Sequence, residues 1–421
     1  MCGFLYSNLK SENFVLDDII SRGPDSQKEL TNEYGYFYQS QLVTNNNTTA
    51  CPAINKFGVL LYNGTEYYCN NDTDLLINNL TNNIDKNLEF LQTLNGDFAI
   101  CFVTDQYIFL ATDCFATKPL YVGLSGSNIC IASTPTPIEN IGLVPFLMDA
   151  NLLVVFDIVE KKLICKKTIN QFSLQQTKNN LDEIFLAFEE SVINRHKENC
   201  LVNLSSGYDS GAIVSCLNKH KKKFQTLIYF ENENIEIIKR RLALDKNKKH
   251  IVNNTQLEVK KNQKKDLFNR QLLYDTNSIS DLGLITGNIA SKNNCRINLT
   301  GTGSDELYSD YGYHGKKLFP YFSLFGGFFP EQLELIFPWY TSKTYPLYND
   351  IKAVDYCNGL YGIDSRHPFL DKKLFQTWLS SNNKIKNCSY KHWIEQYLLQ
   401  ANYPYMHEKI ALGKNYSINT L

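Results

Sequence analysis

Neither sign of charge prevails in this 421-residue chain, where 42 basic side chains stand against 43 acidic ones. That balance removes the electrostatic reason to expect nucleic acid or an anionic membrane as the main partner. Local basic runs at Lys219-His220-Lys221-Lys222-Lys223, at Lys239-Arg240-Arg241 and over residues 260–265 lack interleaved aromatics and read as solvated faces. The twelve cysteines contain no Cys-x-x-Cys pair and no His/Cys spacing that suits zinc, so neither a disulfide framework nor a structural metal is expected. Long apolar runs are also missing. The most apolar stretch, residues 141–159, is broken by Asp149, Asn151 and Asp157, and no positively charged apolar leader precedes Cys2. The expectation is a cytoplasmic protein with no membrane span. Neither Gly-x-Gly-x-x-Gly nor Gly-Lys-Ser/Thr occurs, which removes the dinucleotide fingerprint and the P-loop lysine.

What is present suffices for two domains with full cores, since 43% of the residues are hydrophobic. From Gly3 to about Lys167 the pattern is short apolar runs divided by turn signals, such as residues 58–62, 97–103, 107–111 and 152–156. Two helices are expected among them, at residues 74–79 and 84–94, giving antiparallel sheet with helices packed on it. From Asn180 the period lengthens. Leu181, Ile184, Phe185, Phe188 and Val192 mark an amphipathic helix, and strands at 201–204, 224–230 and 297–299 alternate with helical stretches. That alternation predicts a parallel sheet whose ligand lies beyond the strand C-termini. The boundary is expected within 166–177, dividing the chain into residues 1–172 and 173–421.

Two short segments carry chemistry. Leu204-Ser205-Ser206-Gly207-Tyr208-Asp209-Ser210 is a small-residue loop that leaves an apolar strand and opens a helix whose Ile213, Val214 and Leu217 share one face. Such a loop converges backbone N–H groups on an anion at the positive end of a helix, and its hydroxyls and carboxylate suit a magnesium-bound pyrophosphate. The plain alternative is a strand-to-helix turn rich in Ser and Gly. Met1-Cys2-Gly3 places a thiol where removal of Met1 would leave a free amine on the same residue, and an amine of pKa about 7.7–8.0 can take the thiol proton. The plain alternative is an inert terminal cysteine.

Further motifs follow in order: Arg22-Gly23-Pro24-Asp25, Asn63-Gly64, Asp74, Leu94-Asn95-Gly96-Asp97-Phe98-Ala99, Lys118-Pro119-Leu120-Tyr121, Gly303-Ser304-Asp305-Glu306 and Arg366-His367-Pro368-Phe369-Leu370-Asp371. Together with the two segments above, the series resembles the glutamine-hydrolysing asparagine synthetase family over nearly the whole chain. The resemblance implies an α/β and α+β protein of two domains. The first would be an N-terminal nucleophile hydrolase αββα sandwich, the second an adenine nucleotide α-hydrolase-like, Rossmann-like parallel-sheet domain. It implies that Cys2 attacks the side-chain amide of glutamine, that Asn63 and the N–H of Gly64 form the oxyanion hole, and that Asp74 holds the glutamine α-amino group. In the second domain it implies that Ser205, Ser206, Gly207, Asp209, Ser210, Gly303 and Glu306 bind ATP and pyrophosphate. Asp209 and Asp305 would hold Mg2+, and Lys391 would neutralise the phosphorus transition state. Glutamine, ATP and a carboxylate acceptor are the implied partners, with aspartate as the family default and a homodimer left open.

Four departures qualify the resemblance. Gln41 stands where the family has an arginine for the glutamine α-carboxylate, and an amide donates a weaker hydrogen bond. Thr302 replaces a glutamate, and a threonine is no base near neutrality. Asp364 is the candidate replacement base, with an ion pair to Arg366 as its equal alternative. Glu395 stands in place of an arginine, and the second domain is short. Two other readings follow from these departures: amidation of another acid, such as a uronic-acid sugar or a specialised metabolite, and a non-catalytic regulatory descendant.

Overall fold

The computed structural model describes residues 2–9, 14–44, 49, 51–229, 233–245, 249–253, 279–309, 328–339 and 345–407. One antiparallel sheet comprises β1 (Cys2–Ser7), β2 (Ser26–Asn32), β3 (Gly35–Gln41), β8 (Tyr121–Ser125), β9 (Asn128–Ala132) and β10 (Pro145–Leu147), in the order β10-β8-β9-β1-β3-β2. A second comprises β4 (Ala53–Ile54), β5 (Gly58–Thr65), β6 (Asp97–Thr104), β7 (Tyr107–Thr112), β11 (Leu152–Asp157) and β12 (Lys162–Thr168), in the order β12-β11-β7-β6-β5-β4.

Strand alternation stacks them. Successive side chains point to opposite faces, so Phe4 and Tyr6 of β1 meet Val59 and Leu61 of β5 and Ala99, Cys101 and Val103 of β6 between the sheets. Leu5 points the other way, onto Ile19 and Ile138 of the helices at Asp17–Arg22 and Thr136–Asn140. On the far side Leu60, Tyr62, Ile100 and Phe102 pack on Leu76, Ile77 and Leu91 of the helices at Asp72–Asn79 and Ile84–Thr93. The result is the four-layer αββα sandwich expected. Its central strands β5 and β6 are buried along their whole length, which is why they read as continuous apolar runs.

The third sheet is parallel: β13 (Cys200–Asn203), β14 (Gln225–Tyr229), β15 (His250–Asn253), β16 (Ile297–Leu299) and β17 (Asp364–Arg366), in the order β15-β14-β13-β16-β17. Cys200 and Val202 face Ile213, Val214 and Leu217 of the helix at Tyr208–Lys219, while Leu201 faces Ala290 of the helix at Ile279–Lys292. The chain moves outward from β13 to β15 and then returns to the other side of β13 as β16. Strand order therefore reverses between β13 and β16, and a crevice opens beyond their C-termini. The loops that follow these two strands are those singled out in the sequence. No helix among the described residues is long and apolar enough to cross a membrane.

Buried charge joins the sandwich to the parallel sheet. Lys118 Nζ lies 2.8 Å from Asp364 Oδ1 and donates to Ser365 O, and Arg22 Nη2 lies 2.6 Å from Asp355 Oδ2. Arg195 meets Asp97 at 3.1 Å and Asp371 at 2.9 Å, with its guanidinium 4.5 Å from the Tyr67 ring centroid. Arg366 pairs with Asp364 at 2.7 Å and donates to Thr44 Oγ1. Arg22, Lys118, Asp355, Asp364, Arg366 and Arg195 are all almost completely shielded from solvent. Removing one member of such a set strands an opposite charge in low dielectric. Lys118→Met is expected to lower unfolding stability by about 3–5 kcal/mol, and Asp364→Leu, which takes a carboxylate from both Lys118 and Arg366, to lower it at least as much. Urea titration of the two variants checks this.

Candidate functional site

The first cluster forms where the two antiparallel sheets meet. Cys2 begins β1 opposite Gln41 of β3, and its backbone N–H donates to Asn63 Oδ1 of β5 at 2.8 Å. With Met1 attached that nitrogen is an amide; loss of Met1 would make it the amine. Burial pushes the Cys2 thiol above its ordinary range, and nearby Asp72 pushes the same way. The thiol is therefore neutral near pH 7 and needs a base to ionise. Asn63 is fully buried and among the described residues its Nδ2 has no hydrogen-bond partner, so an unused donor stands beside the nucleophile. Gly64 must be glycine: a Cβ there would lie 2.1 Å from Asp97 O. Gln41 Oε1 accepts from Ser26 Oγ at 3.3 Å, and its Nε2 lies 3.5 Å from Thr49 O. Thr49 Oγ1 in turn donates to Asp74 at 2.5 Å.

The second cluster lies in the crevice beyond β13 and β16. Lys391 Nζ donates to both Asp209 oxygens at 2.6 and 2.7 Å and to Ser304 Oγ at 2.7 Å, and it meets Asp305 Oδ1 at 3.0 Å. Burial alone would lower its pKa, but Asp209 and Asp305 outweigh burial and raise it, so the ammonium form is held. Its backbone has φ 49°, the left-handed region that costs a side-chain-bearing residue of order 1 kcal/mol or more. Ser205 N donates to Ser210 Oγ at 3.0 Å, the two serine hydroxyls lie 2.8 Å apart, and Gly207 N donates to Ser205 Oγ at 3.2 Å. These bonds wind the loop tightly into the helix that begins at Tyr208, whose first-turn N–H groups precede its own ladder. Two carboxylates drawn to one ammonium, with hydroxyls beside them, are hard oxygen donors of the kind Mg2+ takes. Among the described residues no group of three or more His, Cys, Asp or Glu could hold a metal by itself.

Comparison with known proteins bears on the first cluster. Residues 57–140 match the family model of a glutamine amidotransferase domain. That stretch of the chain is similar to a glutamine amidotransferase domain. The matched stretch contains Asn63, Gly64, Asp72, Asp97 and Lys118. Among solved structures, an allosteric regulatory enzyme of purine biosynthesis matches at 12% identity over 53% of this chain and 65% of its own, with TM-score 0.33. The chain thus spans just under two thirds of that protein. A glutamine phosphoribosylpyrophosphate amidotransferase from B. subtilis, complexed with ADP and GMP, matches at 10% identity over 90% of this chain and 92% of its own, with TM-score 0.32. No curated protein matches the sequence.

Three expected site residues sit elsewhere than their motifs suggested. In the amidotransferase domain, Asp74 is exposed on its helix and bound by Thr49 and Asn71. Of the two acidic residues on this helix's first turn, the one that acts on Cys2 is Asp72, which is buried. Residues two apart on a helix point roughly 200° from one another, so only one of this pair can face the thiol. Asn71 accepts from Asp74 N as the N-cap, and that cap is the sequence signal that starts the helix at Asp72. Asp364 is no free base. It lies at the N-terminal end of β17, away from the crevice, and Lys118 and Arg366 overcome its burial and hold its carboxyl well below the usual range. Glu306 turns back on its own helix and accepts from Gly303 N at 3.0 Å.

Other residues were missed or redirected. Glu233 accepts from Ser206 N at 2.6 Å and from Ser206 Oγ at 2.5 Å, a contact that no local pattern announces. Glu395 accepts from Ser389 Oγ and Tyr405 OH, away from the Lys391 ammonium. Thr302 Oγ1 accepts from Thr300 Oγ1 at 3.1 Å, and Thr300 lies 2.6 Å from His367 Nδ1.

His367 is fully buried, and burial, reinforced by Lys118, lowers its pKa to about 4. An unfolded histidine protonates near pH 6.5, so between about 6.5 and 4 the unfolded chain binds the extra proton. Stability should fall by about 3 kcal/mol across that window from this group. His367→Asn should remove that part of the fall, read as a smaller drop in urea midpoint between pH 7 and pH 4.5.

Proposed function

We propose that the chain is an ATP-dependent, glutamine-hydrolysing amidotransferase that turns a carboxylate into an amide through an acyl-adenylate. The observation that carries the reading is Lys391, a buried ammonium in left-handed backbone that gathers Asp209, Asp305 and Ser304 at the topological switch point. A second site on the same chain, at Cys2 and Asn63, has the parts for releasing ammonia.

At the first site the amine left by Met1 removal takes the thiol proton, and the Cys2 sulfur attacks the glutamine amide carbon. Asn63 Nδ2 and the Gly64 N–H receive the developing oxyanion. Collapse expels ammonia and leaves a thioester, which water hydrolyses to glutamate. Asp72 is the carboxylate placed to hold the α-ammonium, while Gln41 offers only an amide to the α-carboxylate. The low charge of that contact predicts a high KM for glutamine.

At the second site the acceptor carboxylate attacks the α-phosphorus of ATP and pyrophosphate departs along the Ser205–Ser210 loop. Mg2+ held by Asp209 and Asp305 would screen the phosphate charge. Lys391 would exchange one of its carboxylate partners for a phosphoryl oxygen. Ammonia then attacks the acyl carbon and AMP leaves. Thr302, a hydroxyl where the asparagine synthetase family has a glutamate, supports an acceptor other than aspartate, and a uronic acid is the leading alternative.

Pyrophosphate release measured with MgATP and glutamine over a panel of carboxylic acids identifies the acceptor. Cys2→Ala should abolish glutamine-dependent product while ammonium salts still support it; loss of both supplies refutes the two-site scheme. Asp209→Asn should reduce pyrophosphate release roughly 100-fold or more with every acceptor. Undiminished adenylation in that variant would take the loop out of the reaction.

A further inference from the structure

Three consecutive carbonyls of the loop after β13 are each taken by a donor from outside it. Ser205 O and Gly207 O accept from Arg241 Nη1 and Nη2, the second at 2.8 Å, and Ser206 O accepts from Met406 N at 3.0 Å. In a planar peptide the C=O and the N–H that follows it point in opposite directions. Drawing the carbonyls to one side therefore directs the N–H groups of the following residues to the other, where Ser206 N meets the Glu233 carboxylate and Gly207 N meets Ser205 Oγ, an anion-facing arrangement of the kind a nest makes.

Arg241 sits on the helix at Ile235–Leu244 and is fully buried. Its Nε donates to Pro404 O at 2.7 Å, and its guanidinium lies 5.1 Å from the Tyr403 ring centroid. All three of its nitrogens thus serve backbone carbonyls. Among the described residues it makes no salt bridge with a carboxylate, and burial pushes its pKa down to about 10. The carboxylates of Glu233 and Asp209 act on this guanidinium only through space, and no direct ion pair among the described residues supplies its counter-charge. A polyphosphate seated across the loop would supply it.

The room for this side chain comes from Gly211, one turn into the helix at Tyr208–Lys219. A Cβ at position 211 would stand 2.3 Å from Arg241 Nη2 and 2.7 Å from Cζ. Both are too close for any side chain unless the guanidinium leaves. Gly211 and Arg241 are one device.

We propose that Arg241, admitted by Gly211, is a positioning residue for polyphosphate binding: it orients the peptide planes of Ser205–Gly207 and places a positive charge behind them. The inference rests on the ATP-dependent reading above. It goes beyond it in naming a residue outside every motif that the loop requires.

The test is MgATP binding to the full chain by titration calorimetry, together with KM and kcat for pyrophosphate release. Arg241→Leu should weaken MgATP binding and raise its KM roughly tenfold or more, with a much smaller change in kcat. Arg241→Lys, which keeps the charge but has no planar fork, should fall between. Gly211→Ser should weaken binding by expelling the guanidinium. In Gly211→Ser/Arg241→Ala the clash is gone, so thermal stability should recover towards wild type while MgATP affinity does not.

Wild-type affinity in Arg241→Leu, or recovery of affinity along with stability in the double variant, overturns the inference. Should Arg241→Leu fail to fold, Arg241→Lys and the double variant decide the matter by the same readings. A wild-type protein that binds no MgATP removes the ATP reading itself. Wild-type binding without a loss in the variants removes only the role of Arg241.

Discussion

The buried charges between the αββα sandwich and the parallel sheet constrain everything else. Arg22 and Lys118 come from the sandwich and Asp355, Asp364 and Arg366 from the other body, and although Asp364 and Arg366 pair with each other on β17, Asp355 and Asp364 also take their cations from across the boundary. Separating the halves would expose these charges to water, which is no great loss, but any misaligned docking would leave ions buried and unpaired. The penalty for that is several kcal/mol per ion. The network therefore acts as a registration device more than as glue. It fixes how β17 meets the sandwich, and so the placement of the Cys2 cluster relative to the crevice.

The same network explains motifs that look functional but touch no reacting group. Arg22-Gly23-Pro24-Asp25, Lys118-Pro119 and Arg366-His367-Pro368 each contribute a basic residue to it, and Asp25 adds an ion pair to Arg296 at 2.5 Å. Gly362 packs against Pro24 across the same boundary, where a Cβ would come within 3.0 Å of the proline ring. A chain that coordinates two distant clusters has to preserve their relative position as well as their own side chains. Motifs at the boundary meet that need.

Much of the architecture was legible because it is local. Short apolar runs at residues 58–62 and 97–103, divided by turn signals, marked the sandwich strands, and the change of period after Asn180 marked the parallel sheet. The loops at 204–210 and 300–306 were legible for the same reason, since a small-residue turn between strand and helix is written in consecutive residues. What escaped depends on direction or on distance. Asp72 and Asp74 differ only in which side of a helix they occupy, and that was decided by the cap at Asn71. Asp364 was read as a candidate base even though its neighbour Arg366 was visible, because Lys118, 246 residues away, was not. Glu233 and Arg241 reach the phosphate loop from 27 and 36 residues downstream with no periodic signal to mark them.

Lys391 shows why the crevice is hard to regard as a stability feature alone. An ion pair buried this deeply contributes little net stability once desolvation is counted, and an apolar set of equal volume would serve a core as well. Here the cation also takes a left-handed backbone conformation, and its three oxygen-bearing partners come from the first turns of the two helices that follow β13 and β16. Strain and desolvation fall on one residue at the one place where an open α/β sheet offers a ligand site. Under the ATP-dependent reading proposed above, an ammonium surrounded by exchangeable oxygens would trade a carboxylate for a phosphoryl oxygen with little change in its own coordination. The carboxylates it released would then serve a divalent cation. That exchange needs the loop's peptide planes held still while its charges are reassigned, which is the mechanical role that the carbonyl-bound guanidinium of Arg241 is placed to fill.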